Sequence, residues 1–354
     1  MRLAFAIPFI IAGLLARAGG WSSAETPNGA LLRRVAAMSW DRADAAWIGN
    51  LYPPITTVLA RLDPFGETGL TLLGAFVAGY VLQKVAETMV RRYFPLSTIV
   101  ALLAALAANP LFFLTTLGNL PALLGLSFFG LAMSDLARFV LSRNTQSGFR
   151  AGIFLMLAAL SDSAGVLYVL VAVLTAPLIG LGRRDLRVRP ANLLVAAFPT
   201  VAAFVTVAFR QWVFVGDPFD FARRVIDVTP TTLQVLPTLT STTLGLALDL
   251  TLVSSWLIAI LLKRPGLILA STMLFAGIMS ARILGMIPPT AVGITYTILL
   301  FTAATTIPAP RATRMAALIN CIALVQIALA WFTAAQRADV VAWLDSVLHA
   351  LLSR

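Results

Sequence analysis

The 354-residue chain is 59% hydrophobic and 12% charged, with 26 Lys and Arg against 15 Asp and Glu and a mean hydropathy of +0.91. A soluble domain carries about 25% charged residues, so lipid is the solvent for most of this chain. Its apolar runs are continuous for about 18–22 residues, enough to cross hydrocarbon, and they lack the alternation of barrel strands. The class predicted is an all-α, polytopic membrane protein. A net charge of +11 reads as arginines facing anionic headgroups, and nucleic acid is not an expected partner. The one cysteine, Cys321, can form no internal disulfide. With the one histidine, His349, it leaves no basis for a His/Cys metal site. No cofactor is expected, and no divalent metal is indicated.

In chain order, about eleven apolar spans lie near 3–18, 69–86, 96–115, 120–140, 151–162, 165–182, 191–209, 237–262, 265–284, 287–306 and 315–335. The first, in "MRLAFAIPFIIAGLLARAGG", has the composition of either a cleavable signal or a retained helix, and it is read as retained. Both readings put the next loop across the membrane. The fifth run is too short to cross alone and is expected to pair with the sixth, turning at "SDSAG" (161–165). Asn109-Pro110 reads as a kink. There is no internal repeat and no hydrophilic stretch long enough for a soluble domain, so residues 1–354 are expected to form one transmembrane domain.

Charge gives the orientation. The connections "RRYF", "SRNTQSGFR", "GLGRRDLRVRP", "KRPG" and "PRATR" are short and basic, which places them and the N-terminus in the cytoplasm. Most acids then lie outside, where any chemistry is expected. Two outer segments are long, 19–68 and 210–236. The first contains "ALLRRVAAM" and "ITTVLARL", patterns suited to interfacial helices. The second contains "RQWVFVGDPFDFARRV", with a Gly-Asp-Pro turn and belt aromatics.

Asp41 and Asp44 in "SWDRADAAWIGNLYPPI" are three residues apart and would share a helix face beside Trp40 and Trp47. They are either ordinary loop acids or a partly desolvated general base. Arg282, one turn before an outer Pro-Pro, is either a snorkelling anchor or a phosphate clamp. Arg210 at the end of the seventh span has the same two readings. Asp249 within a span serves either structure or a transport pathway. Asp162 reads as a turn-capping residue, and His349 as an interfacial tail residue.

"SWDRADAAWIGNLYPPI", the helical pair around "SDSAG", "FVGDPFDF" and "SARILGMIPP" follow one another between about residues 40 and 290. Together they resemble GT-C-type glycosyltransferases, in particular the mannosyltransferase branch, in which a Trp-Asp pair leads the first-loop segment. The resemblance implies a GT-C-like fold and inverting sugar transfer from a polyprenyl-phosphate donor to a lipid, glycan or protein acceptor. It also implies Asp41, or alternatively Asp44, as the base, and Arg282 with Arg210 on the donor phosphate. Trp40, Trp47, Tyr52 and Asp217 would contact substrate. The Ala- and Arg-rich composition points to a bacterial source, so the expected location is the bacterial plasma membrane, with the active face outside.

The chain departs from that pattern at Ala45-Ala46-Trp47, where a tyrosine or histidine usually follows the aspartate. It also lacks a lysine at "SDSAG". A noncatalytic GT-C-like scaffold that holds a membrane partner, and a lipid transporter, are the alternatives.

Overall fold

The computed structural model describes residues 2–40, 46–179, 190–287 and 307–353; among these there are helices, turns and loops but no strand. Among the described residues, five helical stretches are long and apolar enough to cross a membrane: α4 (Glu67–Arg91), α7 (Leu120–Ser142), Leu193–Val215 of α10 (Pro190–Val215), α15 (Pro265–Ile283) and α16 (Thr313–Ala335). A sixth forms if α5 (Leu96–Ala107) and α6 (Pro110–Gly118) count together, bent by 56° at their break. The chain is therefore a helical membrane protein. The break falls at Asn109-Pro110, where the Asn109 side chain accepts from the amides of Leu111 (2.9 Å) and Phe112 (3.4 Å). Capping satisfies two helix-start donors that the turn would otherwise strand.

Shorter apolar helices are α1 (Arg2–Ala18), α9 (Gly165–Ile179) and the Asp249–Leu261 part of α14 (Thr243–Leu261). The run 151–162 proves to be the second half of the 17-residue α8 (Thr145–Ser161). Asn144 caps that helix on Ser147 and carries it through the polar "TQSGFR". The α8–α9 turn lies at 162–164, inside the expected "SDSAG". The apolar run 287–306 lies almost wholly outside the described residues.

Both expected loop helices are present. α2 (Pro27–Ala37) holds "ALLRRVAA" and α3 (Pro54–Leu62) holds "ITTVLARL". Each starts with proline, which lacks only the N–H that a first turn cannot use. In the second outer segment α10 runs on to Val215, followed by the short α11 (Asp220–Val225) and α12 (Pro230–Leu233). α13 (Val235–Ser241) leads into α14, and the chain closes with α17 (Ala338–Leu352).

The first loop is packed rather than draped. One Glu67 oxygen accepts from Arg17, Ser22 and Ser23, the last through both main chain and hydroxyl, at 3.0–3.2 Å. The fully buried Asn28 amide donates to the Leu117 carbonyl (3.0 Å) and accepts from the Leu120 amide (2.7 Å). It thereby closes the α6–α7 junction with a side chain from α2, using backbone groups that two helix ends leave open.

α7 lies at the centre. One apolar cluster joins α7, α8, α9 and α15, with Phe129 against Tyr168 (ring centroids 5.6 Å apart). A second joins α1, α4, α5 and α16, with Phe9 against Phe112 and Phe113. α1 and α4 cross closely at Gly79, where a β-carbon would come within 2.6 Å of the Ala6 nitrogen. Small residues permit such crossings when lipid supplies no hydrophobic drive between helices.

Up-and-down alternation collects Arg91, Arg92, Arg143, Arg150, Lys263, Arg264, Arg311 and Arg314 at the end opposite the first loop. There the buried Asp135 pairs with Arg150 (3.0 Å) and Arg138 (3.8 Å).

Candidate functional site

The last turn of a helix leaves carbonyls without partners. At the C-terminus of α8 the first loop supplies them. The Tyr52 hydroxyl donates to the Ala159 carbonyl (2.9 Å), and the Thr56 hydroxyl to the Ser161 carbonyl (3.1 Å). Thr57 donates its own hydroxyl back to the Pro53 carbonyl (2.7 Å). On the other side of this strap, Arg34 of α2 donates to the Tyr52 carbonyl (3.2 Å) and the Thr57 hydroxyl (2.6 Å). The Tyr52–Thr57 segment therefore joins α2 to α8.

Beneath that strap lies a cleft of about 420 Å³. Its charged lining is Glu25, Arg33, Arg34 and Asp162, with Thr26, Thr56, Asn119 and Ser163 as the other polar groups; Pro53 and other apolar residues line the rest. Asp162 follows the last residue of α8, and a Ser163 hydrogen bond to the Met286 carbonyl (3.2 Å) holds its turn against the chain after α15. The turn fits because α7 presents glycine. A β-carbon on Gly125 would stand 2.6 Å from the Asp162 β-carbon.

Asp162 is 6% exposed, and its Oδ2 is buried without a hydrogen-bond partner. Burial raises its carboxyl to about 6, against the pull of hydrogen bonds from the Ala164 and Ser163 amides and the Ser163 hydroxyl. The Tyr52 hydroxyl is raised too, chiefly by burial and then by the Asp162 charge. Arg34 is lowered by burial, and its Nε is buried without a partner. The Tyr168 hydroxyl is buried and unpartnered as well.

The same strap backs two rings that line a second space. The Tyr52 ring packs against Phe204 (6.0 Å) and Phe221 (5.3 Å). Those two rings line an apolar groove of about 780 Å³ between α9 and α10, with Val169, Val173, Val201 and Trp212. A smaller cleft of about 250 Å³ adjoins the polar one through Glu25, Thr26, Pro27 and Asn119, and reaches Trp21 and Asp339.

Asp41 and Asp44 lie outside the described residues. Their flanking indoles, Trp40 and Trp47, stack at 5.2 Å. Arg61 sits over the Trp40 ring, and the Trp40 N–H is used by the Val35 carbonyl. Neither indole lines the cleft. Tyr52 does not present its hydroxyl to the cleft either, since that group is bonded to α8. Asp217 pairs with Arg223 (2.7 Å) and caps the Phe219 amide (3.0 Å), which orders the turn bearing the groove aromatics Phe219 and Phe221.

Arg282 lies at the same end as the cleft, four residues before Met286, but outside the cleft lining; the charge acting on it is Arg337, which is held by Asp339 (3.0 Å). Arg210 lies on α10 with its Nε buried and unpartnered. Asp249 sits on α14, and His349 on α17. Among the described residues no three Asp, Glu, His or Cys side chains converge to hold a metal ion.

Arg34 and Asp162 are the residues that motif reading passes over as site groups. One signal for Arg34 was present. It stands three residues after Leu31 and one before Val35, on the edge of the face α2 buries, where a cation is costly.

The chain matches no family model, no curated protein and no solved structure.

Proposed function

We propose that this protein is a membrane-embedded glycosyltransferase that takes its sugar from a polyprenyl-phosphate donor. The observation that supports this reading most is the pairing of two spaces around one strap: Pro53 and Thr56 line a cleft that holds two arginines and two acids, and the neighbouring Tyr52 ring packs on Phe204 and Phe221, which line an apolar groove. A lipid phosphate has the matching division: an anionic, hydroxyl-rich head and a long apolar tail. In this reading the head lies in the cleft and the tail in the α9–α10 groove.

The basic end faces the cytoplasm and the cleft faces outward, as the arginine distribution favours. About eleven spans in a GT-C-like arrangement accommodate the remaining apolar helices. Asp41 or Asp44 deprotonates the acceptor hydroxyl as its oxygen attacks the anomeric carbon. The bond from that carbon to the phosphate oxygen breaks, and the lipid phosphate leaves with the electron pair, stabilised by arginine.

The test is sugar transfer by membranes carrying wild type, Asp41→Asn, Asp44→Asn and Arg282→Ala at matched expression, with a panel of polyprenyl-phosphate sugars. Loss in one aspartate variant identifies the base. Transfer equal to wild type in both removes the base assignment. No transfer by wild type from any donor leaves the noncatalytic scaffold or the transporter as the better reading.

A further inference from the structure

A buried ionised group without a partner costs several kcal/mol, and native structures rarely keep one without use. The polar cleft holds two groups with unused valences and opposite signs, Arg34 Nε and Asp162 Oδ2. They do not answer each other: no ion pair joins them, and Arg34 directs one Nη1 and one Nη2 hydrogen to Tyr52 and Thr57. Arg33, tied to the Ala24 carbonyl (2.6 Å), adds a second cation to the same wall.

We infer that Arg34 and Asp162 divide one ligand between them: Arg34, with Arg33, holds a phosphate, and Asp162 accepts a hydrogen bond from a hydroxyl beside it. The ligand class is a phosphate ester of a polyol. An ionised carboxylate only accepts hydrogen bonds and repels anions, so the phosphate cannot lie at the Asp162 end. Guanidinium donors suit phosphate oxygens and have nothing to offer that a neutral hydroxyl specifically requires. The two ends therefore fix the direction of the ligand. Around Asp162 the facing groups are the Ser163 hydroxyl on its own turn, Tyr52 and Thr56 on the strap, Tyr168 on α9, Gly125 on α7, and Arg33, Arg34 and Glu25 across the cleft. The inference rests on the lipid-phosphate reading above for the ligand's origin, and it assigns residues that the family resemblance does not.

The test uses the full-length protein in phosphatidylcholine nanodiscs with three probes: polyprenyl phosphate, polyprenyl-phosphate hexose and soluble hexose 1-phosphate. Wild type binds the hexose lipid more tightly than the bare lipid phosphate. Arg34→Gln weakens both lipids by about tenfold, the scale of one charge-assisted hydrogen bond. Asp162→Asn removes the preference for the hexose lipid while bare lipid phosphate binds as before. Because Arg34 also links α2 to α3, Arg34→Lys is the second variant. Partial recovery of phosphate binding marks a recognised charge, and no recovery at an unchanged melting temperature overturns the assignment.

Full hexose preference in Asp162→Asn also overturns it, as does wild type binding neither lipid. Sugar transfer with Asp162→Asn unchanged in binding removes this inference and leaves the proposed function. Binding as expected with no transfer by wild type does the reverse. Soluble hexose 1-phosphate binding as tightly as the hexose lipid keeps the Arg34–Asp162 pair and removes the lipid source.

Discussion

Arg34 donates its Nη1 hydrogen to the main-chain oxygen of Tyr52 at 3.2 Å, and the ring of the same Tyr52 packs 5.3 Å from Phe221 on the opposite side. One residue thus touches a lining side chain of each space, Arg34 of the charged cleft through its backbone and Phe221 of the apolar groove through its ring. Its hydroxyl is free for neither, because it closes the end of α8. Removing that hydroxyl and removing the ring should therefore have separable effects. Tyr52→Phe leaves the ring packing intact and strands the buried Ala159 carbonyl, a cost of about 1–3 kcal/mol, read as a lower melting temperature with lipid-phosphate binding retained. Tyr52→Ala also deletes the ring, for about 3–5 kcal/mol, and should lose binding at temperatures where it is still folded. Equal binding by both variants would mean that the ring packing does not shape the site.

Asp162 makes stability depend on pH in a direction opposite to that of most carboxylates. Its folded value, about 6, stands above the ordinary 3.8, so the fold disfavours the charged form. The cost is fully present above about pH 6 and is gone below about pH 4; a shift of this size is worth about 3 kcal/mol. Asp162→Asn should therefore melt higher than wild type at about pH 8, with the gap closing toward about pH 4. Thermal unfolding of both proteins across that window measures it. A gap that is constant with pH would place the effect in packing rather than in the carboxyl charge.

The helical class and the two short helices of the first loop were legible because each rests on local chemistry, unbroken apolar runs and proline in first turns. Asn109-Pro110 was legible as a bend for the same reason. That the loop is packed rather than laid on the interface was not legible, because Glu67, Asn28 and Tyr52 hold it through long-range contacts. Asp162 was legible only as a turn residue, since "SDSAG" says nothing of Gly125, 37 positions earlier, which makes room for it. Tyr52 drew attention as a possible substrate contact, but its partner at Ala159 is 107 residues away. Arg34 hid in a pattern suited to the membrane surface, and its burial depends on a strap that α8 positions. Motif order locates segments in a chain; which side chain is left with an unused valence depends on long-range contacts.

Gly125 offers a test of that point without touching a charged group. A β-carbon there would come 2.6 Å from the Asp162 β-carbon and 3.2 Å from its Oδ2. The near atom is the root of the side chain, so the turn itself must shift. Gly125→Ala should lower the melting temperature by an overpacking cost of about 1–3 kcal/mol and reduce the preference for the hexose lipid. The Arg34 end is left in place, so bare polyprenyl phosphate should bind with little change. Loss of both in equal measure would point to general collapse of the cleft, which Tyr52→Phe, destabilised to a similar degree elsewhere, would help to identify.

The groove can be closed without approaching the cleft. Ala208 on α10 is one of its small wall residues, across from the α9 valines. Ala208→Trp fills part of the roughly 780 Å³ with an indole and leaves Arg34, Asp162 and the strap as they are. Each methylene of tail displaced from an apolar wall forgoes up to about 0.8 kcal/mol, although in a bilayer the tail regains most of this from lipid. The expected loss for the polyprenyl ligand is therefore modest, a fewfold change in affinity, and it should grow with chain length. Soluble hexose 1-phosphate has no tail and should bind Ala208→Trp as it binds wild type. A matching loss for the soluble ester would show the substitution acting through the Phe204–Tyr52 contact, making the groove a support for the cleft rather than a seat for lipid.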